Sequence, residues 1–222
     1  DILNEVKTLI EGGAREITLL GQNVDAYGKD LKNGYGFASL LADAAALPGL
    51  ERLRFATSHP KDFDADILDV MRDNPTICRA INLPVQSGSD RILREMNRGY
   101  TSGQYLELVD RIKAALPDVS LTTDLIVGFP GETEEDFRDS YRLLETVKFD
   151  IVHTAAYSPR EGTRAAVMDG QIDNRVKAAR LNEMNALQAS IARGSNEQYV
   201  GRDFEILADG WAPRGEPYRP PL

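Results

Sequence analysis

Asp124-Leu125-Ile126-Val127-Gly128-Phe129-Pro130-Gly131-Glu132-Thr133-Glu134-Glu135-Asp136-Phe137 reads as the end of a buried strand, a glycine turn and the start of a helix. The strand begins near Val119, since an apolar, β-favouring run extends from there to Val127. Gly128 and Gly131 allow the backbone to turn and to approach neighbours closely. Thr133 is placed to cap the helix that follows, predicted over Glu134 to Val147, and the acidic first turn complements its dipole. That same acidic turn disfavours a phosphate at this helix start. Read on its residues alone, the segment is an ordinary capped strand–turn–helix.

The alternation continues on both sides. Upstream, Ile2, Leu3, Val6, Leu9 and Ile10 fall at helical spacing and stop at Gly12-Gly13; Glu16–Leu20 reads as a strand ending at Gly21-Gln22-Asn23. A helix from Phe37 to Leu47 precedes a strand at Leu53–Ala56, which leads into Thr57-Ser58-His59-Pro60. Phe63 to Met71 is predicted helical, Ala80 to Val85 a strand, and Tyr105 to Ala115 a helix halted by Pro117. Downstream come a strand at Ile151–Ala156 and a long helix carrying Val176, Ala179, Leu181, Met184, Leu187 and Ile191. Strands separated by helices predict an α/β architecture with parallel pairing. A doubly wound sheet and a full or partial barrel both fit. Polar and glycine residues recur at strand C-terminal ends (Gln22-Asn23, Ser58-His59, Gln86-Ser87, Gly128, Ser158-Pro159-Arg160), which favours a barrel, where those ends share one mouth.

Composition narrows the functions. The chain of 222 residues suffices for one core and a small appendage. A net charge of −9 argues against a protein that coats nucleic acid, while leaving RNA possible as a substrate held at one basic patch. No apolar run spans a membrane, and residues 1–6 carry no export signal, so a cytoplasmic protein is expected. The chain opens on a helical pattern without Met and is read as part of something longer. Cys78 is the single cysteine, so no cysteine-ligated zinc or iron–sulfur site can be built from these residues alone. Val200–Leu207 alternates like a strand, and the stretch from Trp211 is too proline-rich for a core element; together they suggest the start of a second domain.

Motifs make the reading specific. The 124–137 segment resembles the fifth-strand signature of radical S-adenosylmethionine (SAM) enzymes, and Leu83-Pro84-Val85-Gln86-Ser87-Gly88-Ser89-Asp90 with Met96-Asn97-Arg98-Gly99-Tyr100 resembles their fourth strand and helix. Leu20-Gly21-Gln22-Asn23-Val24, Thr57-Ser58-His59-Pro60-Lys61-Asp62-Phe63 and Tyr157-Ser158-Pro159-Arg160-Glu161-Gly162-Thr163 resemble the methylthiotransferases, most nearly those that thiolate adenosine in tRNA. The resemblance covers about residues 1–208. It implies a partial parallel (βα) barrel over 1–198, lacking its first strand, and from 199 the beginning of a TRAM-like RNA-binding domain. It further implies SAM, two 4Fe–4S clusters whose cysteines lie outside this chain, a tRNA carrying a prenylated adenosine, an electron donor, and a monomer.

By the same resemblance, Asp124 accepts from the ribose hydroxyls and Ile126 packs beside the adenine. Gln86, with Ser87, and Arg98 serve the methionyl end, where a guanidinium suits a carboxylate. Gln22 and Asn23, with Ser58, are placed for the amino group, and Arg160 faces the substrate or SAM. The bland alternatives are a core Ile126 and a solvated Arg98. His59 reads as a structural turn residue or a base. His153 is expected to be packed in the core, Cys78 to be a buried structural thiol, and the acidic runs Glu132–Asp136 and Asp62–Asp69 to be solvated helix faces. Sister enzymes acting on threonylcarbamoyl-adenosine or on a ribosomal-protein aspartate, a non-catalytic binding module, and a truncated gene product are the rival readings.

Overall fold

The computed structural model describes residues 1–31 and 33–207. Its regular elements alternate as the sequence predicts: α1 (Ile2–Glu11), β1 (Glu16–Leu20), α2 (Phe37–Ala45), β2 (Arg52–Ala56), α3 (Ala65–Asp73), β3 (Ala80–Asn82), α4 (Asp90–Glu95), α5 (Ser102–Ala115), β4 (Ser120–Val127), α6 (Glu134–Val147), β5 (Ile151–Ala156) and α7 (Asn174–Glu197). Short 3-10 turns at Val24–Ala26 and Arg164–Val167 were not legible in the sequence.

All strand pairs are parallel, and spatial order follows chain order. The β1–β2 pair joins the β3–β4–β5 sheet through the Leu53–Ile77 bridge and a Ser58 N–H to Asn82 carbonyl bond of 3.3 Å. Because the order never reverses, right-handed crossovers put every helix on the same side. A doubly wound sheet needs a reversal, and none occurs among the described residues. Burial agrees: along β4, Leu121, Thr123, Leu125 and Val127 are buried against the helices, while Ser120, Thr122, Asp124 and Ile126 face a more open side. The fold is α/β, an open run of five parallel strands of barrel type.

The core lies between strands and helices, with Leu41, Leu53, Ile67, Met71, Ile81, Ile92, Phe137 and Phe149 among its buried side chains. Side-chain caps fix the helix starts. Thr101 and Gln104 form a capping box on α5, and Thr133 with Asp136 forms one on α6.

Four expectations need correction. The strand predicted over Ala80–Val85 stops at Asn82, because Pro84 lacks an amide donor. Phe63 packs ahead of α3, which starts two residues later behind Asp64. His153 is exposed on the open face opposite Asp124, since its strand parity points it away from the helices. The strand predicted over Val200–Leu207 is not formed: no neighbouring strand pairs with it among the described residues, and Val200 and Ile206 are about four-fifths exposed. The proline-rich stretch from Trp211 lies outside the described residues.

The acidic run after Gly131 is solvated only at Glu134 and Glu135. Glu132 and Asp136 are 3% and 6% exposed. Asp136 accepts from the Ser89 hydroxyl at 2.6 Å, the Thr133 amide at 2.8 Å and Arg91, so it ties the start of α4 to that of α6. Burial pushes its carboxyl up, but the bonds from Arg91, Ser89 and Thr133 outweigh burial and hold it well below the usual carboxylate range. Glu132 accepts from the Gly128 amide at 2.7 Å and from Arg180 at 2.6 Å, which fastens the turn after β4 to α7.

Gly88 permits this close approach of α4 and α6. A Cβ there would stand 2.6 Å from backbone atoms of Asp139 and Ser140. Gly88→Ala should therefore lower stability by about 2 kcal/mol. Gly103→Ala, on the open first turn of α5, should be neutral or slightly stabilising. Urea unfolding midpoints of the two variants check the contrast.

Candidate ligand site at the strand C-terminal ends

The site begins with an irregularity. After β3 the chain leaves the ladder, and the Thr123 hydroxyl replaces it: it accepts from the Val85 amide at 2.9 Å and donates to the Leu83 carbonyl at 2.8 Å. Tyr105 donates to the Leu83 carbonyl at 2.8 Å, and Tyr100 to the Val85 carbonyl at 3.0 Å. Burial pushes the Tyr100 phenol up to about 12 and Tyr105 higher still, so both stay protonated donors. Held this way, Gln86 adopts a left-handed φ of 68° and rejoins β4: its amide donates to the Asp124 carbonyl at 2.9 Å, and its carbonyl accepts from Ile126 at 3.0 Å. Gln86 is thereby fixed against the strand that carries Asp124 and Ile126.

Beside this bulge a cavity of about 610 Å³ opens between the α4–α5 connection and the ends of β4 and β5. Ile126, Phe129, Tyr157 and Met168 supply apolar wall, and Glu95, Arg98 and Arg164 supply charge. Arg98 Nε and the Tyr157 hydroxyl are buried and have no protein partner. Glu95 and Arg164 pair across the rim at 3.2 Å. On the open face next to it, Asn82 Nδ2 donates to Asp124 Oδ2 at 3.2 Å and to Thr122 Oγ1 at 3.2 Å.

A second cluster occupies the ends of β1 and β2. Asn23 Nδ2 donates to Asp62 Oδ2 at 2.7 Å, while Asn23 Oδ1 is buried without a partner. Asp62 also takes Lys29, whose bond leads the effects lowering its carboxyl pKa, so it belongs to a loop network and not to a solvated helix. Buried Asp25 accepts from the Ser58 hydroxyl at 3.1 Å and the His59 amide at 2.9 Å. These bonds, with the Val24 amide to Thr57 carbonyl bond of 3.2 Å, hold Thr57 at a φ of 73°, a strained geometry for a β-branched residue. His59 Nδ1 accepts from the Lys61 amide at 3.2 Å, and its ring meets Tyr100 edge-on at 5.7 Å. Burial lowers the His59 pKa; Asp62 opposes this, and Arg98, Lys61 and Lys29 add to it, leaving a neutral imidazole at pH 7.

Of the sequence candidates, Arg98 and Ile126 line one cavity, with Asp124 on the same strand as Ile126 and Gln86 in the bulge paired to it. Asn23 and Ser58 belong to the second cluster, and Gln22 is exposed beside it. Ser87 is turned toward the helices: it is fully buried, lies 3.4 Å from the Ser140 hydroxyl and accepts from the Ser89 amide, so it braces α4. Arg160 is exposed beyond β5, in a turn where its carbonyl accepts from Thr163. Cys78 is half-buried; burial raises its thiol pKa, and nearby Arg54 opposes. No three metal-ligating side chains converge among the described residues. Sequence reasoning missed Tyr157, Phe129, Met168 and Asp25, because a cavity wall and a buried acid depend on which loops meet. Tyr157 and Phe129 had a signal, lying in the 157–163 and 124–137 motifs.

The family model for the radical SAM superfamily matches residues 1–144. A protein of Caldicellulosiruptor saccharolyticus named tRNA-2-methylthio-N(6)-dimethylallyladenosine synthase is 49% identical, over 96% of this chain and 45% of its own length. One of the same name from Carboxydothermus hydrogenoformans is 50% identical, over 95% of this chain and 48% of its own. The chain thus spans a little under half the length of these curated relatives. Coproporphyrinogen III oxidase of Escherichia coli, described as a radical SAM enzyme, superposes with a TM-score of 0.65 at 18% identity, covering 85% of this chain and 44% of that one. At that identity the likeness concerns the fold.

Asp25 gives this site a pH signature. Burial is the largest effect on its carboxyl and lifts it from 3.8 to about 6; the His59 and Ser58 bonds and Lys29 offset burial only in part, and Asp62 adds to it. The folded protein therefore holds this proton more tightly than the unfolded chain. The contribution is fully present below pH 3.8 and is lost as pH rises through about 6, a change of about 3 kcal/mol. Asp25→Asn keeps an acceptor for the His59 amide and a donor for Ser58. It should be more stable than wild type at neutral pH, and urea unfolding should show that advantage vanishing near pH 4.

Proposed function

The chain belongs to the radical SAM superfamily, and from that premise we propose that it is the SAM-binding barrel portion of a methylthiotransferase acting on a prenylated adenosine of tRNA. The cavity carries the reading. A half-buried arginine whose Nε is buried without a partner, beside an isoleucine-lined wall, suits a ligand that joins a carboxylate to a nucleoside. Arg98 pairs with the carboxylate of SAM, Ile126 packs on the adenine, and Asp124 accepts from the ribose hydroxyls through the oxygen that Asn82 leaves free. Gln86 meets the methionyl end, held there by its two backbone bonds to β4. The buried Asn23 Oδ1 is an acceptor suited to an ammonium, with exposed Gln22 next to it and Ser58 fixing the loop opposite. Arg160, exposed past β5, is assigned to the substrate side.

When bound, SAM supplies the methyl group and the adenosyl radical chemistry of the superfamily. The chain's own contribution is binding and orientation. The iron–sulfur clusters of the family do not fit the residues described here, since Cys78 is the lone cysteine and no donor set converges. No step is assigned to them. The names of the relatives favour a dimethylallyl-type adenosine over the threonylcarbamoyl substrate and the ribosomal-protein aspartate.

Residues 1–198 form the barrel unit, and the chain from 199 leads toward an RNA-binding domain. The partners are tRNA and an electron donor, and the protein acts as a monomer in the cytoplasm. No helix is long and apolar enough to cross a membrane.

Calorimetry with two probes tests the site. S-adenosylhomocysteine carries the amino-acid end, and 5′-methylthioadenosine lacks it. Wild type should take up both. Arg98→Ala should weaken the homocysteine compound by about 10-fold or more and leave the other within about 2-fold. Equal loss of both, or no loss, contradicts the assignment of Arg98 to the carboxylate.

A further inference from the structure

The chain between β5 and α7 crosses the rim of the cavity and is tied down at both ends. At one end the Tyr157 amide donates to the Val127 carbonyl at 2.8 Å; at the other the Gly170 carbonyl accepts from the Gly131 amide at 2.8 Å. At this second tie the two backbones touch, since a Cβ on Gly170 would stand 3.1 Å from the Gly131 nitrogen. Gly170 also has a φ of 76°, which favours glycine.

Between the ties the strap is self-contained. The Thr163 hydroxyl donates to the Arg160 carbonyl at 2.7 Å, and Gln171 Nε2 donates to the Ala165 and Met168 carbonyls at 2.9 and 3.1 Å. Among the described residues, 158–169 make one hydrogen bond to the rest of the protein beyond Gln171, from Arg164 to Glu95 at 3.2 Å. Ala165, Ala166 and Met168 are half-buried, and the other residues of 158–169 are exposed. Arg164, Ala165 and Met168 line the 610 Å³ cavity, with Glu95 across its rim. A segment with few apolar contacts and a single polar tie opens easily. Its internal bonds travel with it, so it keeps its shape when it opens.

Resting on the nucleoside reading of this cavity, we infer that residues 158–169 form a lid, latched by the Arg164–Glu95 pair, that opens to pass the ligand. The latch is weak. Its side chains are 75% and 38% exposed, and a pair so solvated shifts an equilibrium by about 2- to 5-fold. A weak latch suits a lid that has to open for every ligand that enters or leaves.

Entry and exit rates of S-adenosylhomocysteine test the lid. Glu95→Gln and Arg164→Gln should each raise both rates by about 2- to 5-fold and leave Kd within about 2-fold. Raising salt from about 0.05 to 0.5 M should act likewise on wild type and add nothing in either variant. Exchanging the charges, Glu95→Arg with Arg164→Glu, should restore the wild-type rates. Faster exit alone would make Arg164 a ligand contact and overturn the inference; so would unchanged rates. Trypsin reads the latch without ligand. Cleavage after Arg164 in the free chain should be about 2- to 5-fold faster in Glu95→Gln than in wild type, and equal rates reject the latch. Wild type that takes up no S-adenosylhomocysteine removes the nucleoside reading itself, and the trypsin comparison then decides the latch alone.

Discussion

Two buried carboxylates set the loops at the strand C-terminal ends. Asp136 gathers Ser89, Arg91 and Thr133, and Glu132 gathers the Gly128 amide and Arg180. Each would be costly to bury alone, and a half-broken pair is worse than none. Their bonds bind the starts of α4 and α6, the turn after β4 and the flank of α7 into one unit. The two loops that border the cavity hang from that unit. Glu132 shows the tension, since burial raises its pKa despite its bonds to the Gly128 amide and Arg180.

From this frame the geometry follows by simple rules. Sequential parallel order puts all helices on one side, so the other side of the strands stays open and polar. Period-two alternation then sends Asp124 and Ile126 to the open face and Leu125 and Val127 to the core. The Leu83–Gln86 bulge, sewn by three hydroxyls, turns the chain toward the same end. The Asp25 and Asp62 networks do the corresponding work on the loops after β1 and β2, at the cost of a strained Thr57 and a carboxyl that resists ionisation.

Much of this could be read from the residues. The α6 limits, Glu134–Val147, are those the cap and periodicity indicate, and β4 differs by one residue from its expected start. These segments have clear stop signals and a strong apolar period. What sequence did not convey depended on partners distant in the chain. Acidic residues at a helix start look solvated unless it is known that Arg91 and Arg180 reach them. His153 has the composition of a core strand position, yet its parity faces the open side. Ser87 carries a motif position and nonetheless points at Ser140. Val200–Leu207 alternates like a strand but has no neighbour to pair with among the described residues. Arg98 and Ile126 were identifiable by their motifs, whereas Met168 needed the cavity to stand out.

The proposed function requires an adenosyl ligand to enter the cavity between the α4–α5 connection and the ends of β4 and β5. A crystal structure of the chain grown with S-adenosylhomocysteine tests this most directly. The ligand is predicted with its base against Ile126 and its carboxylate on the Arg98 guanidinium. Density for the ligand on the helix-covered side, or in the mouth with Arg98 turned away from it, would contradict the account.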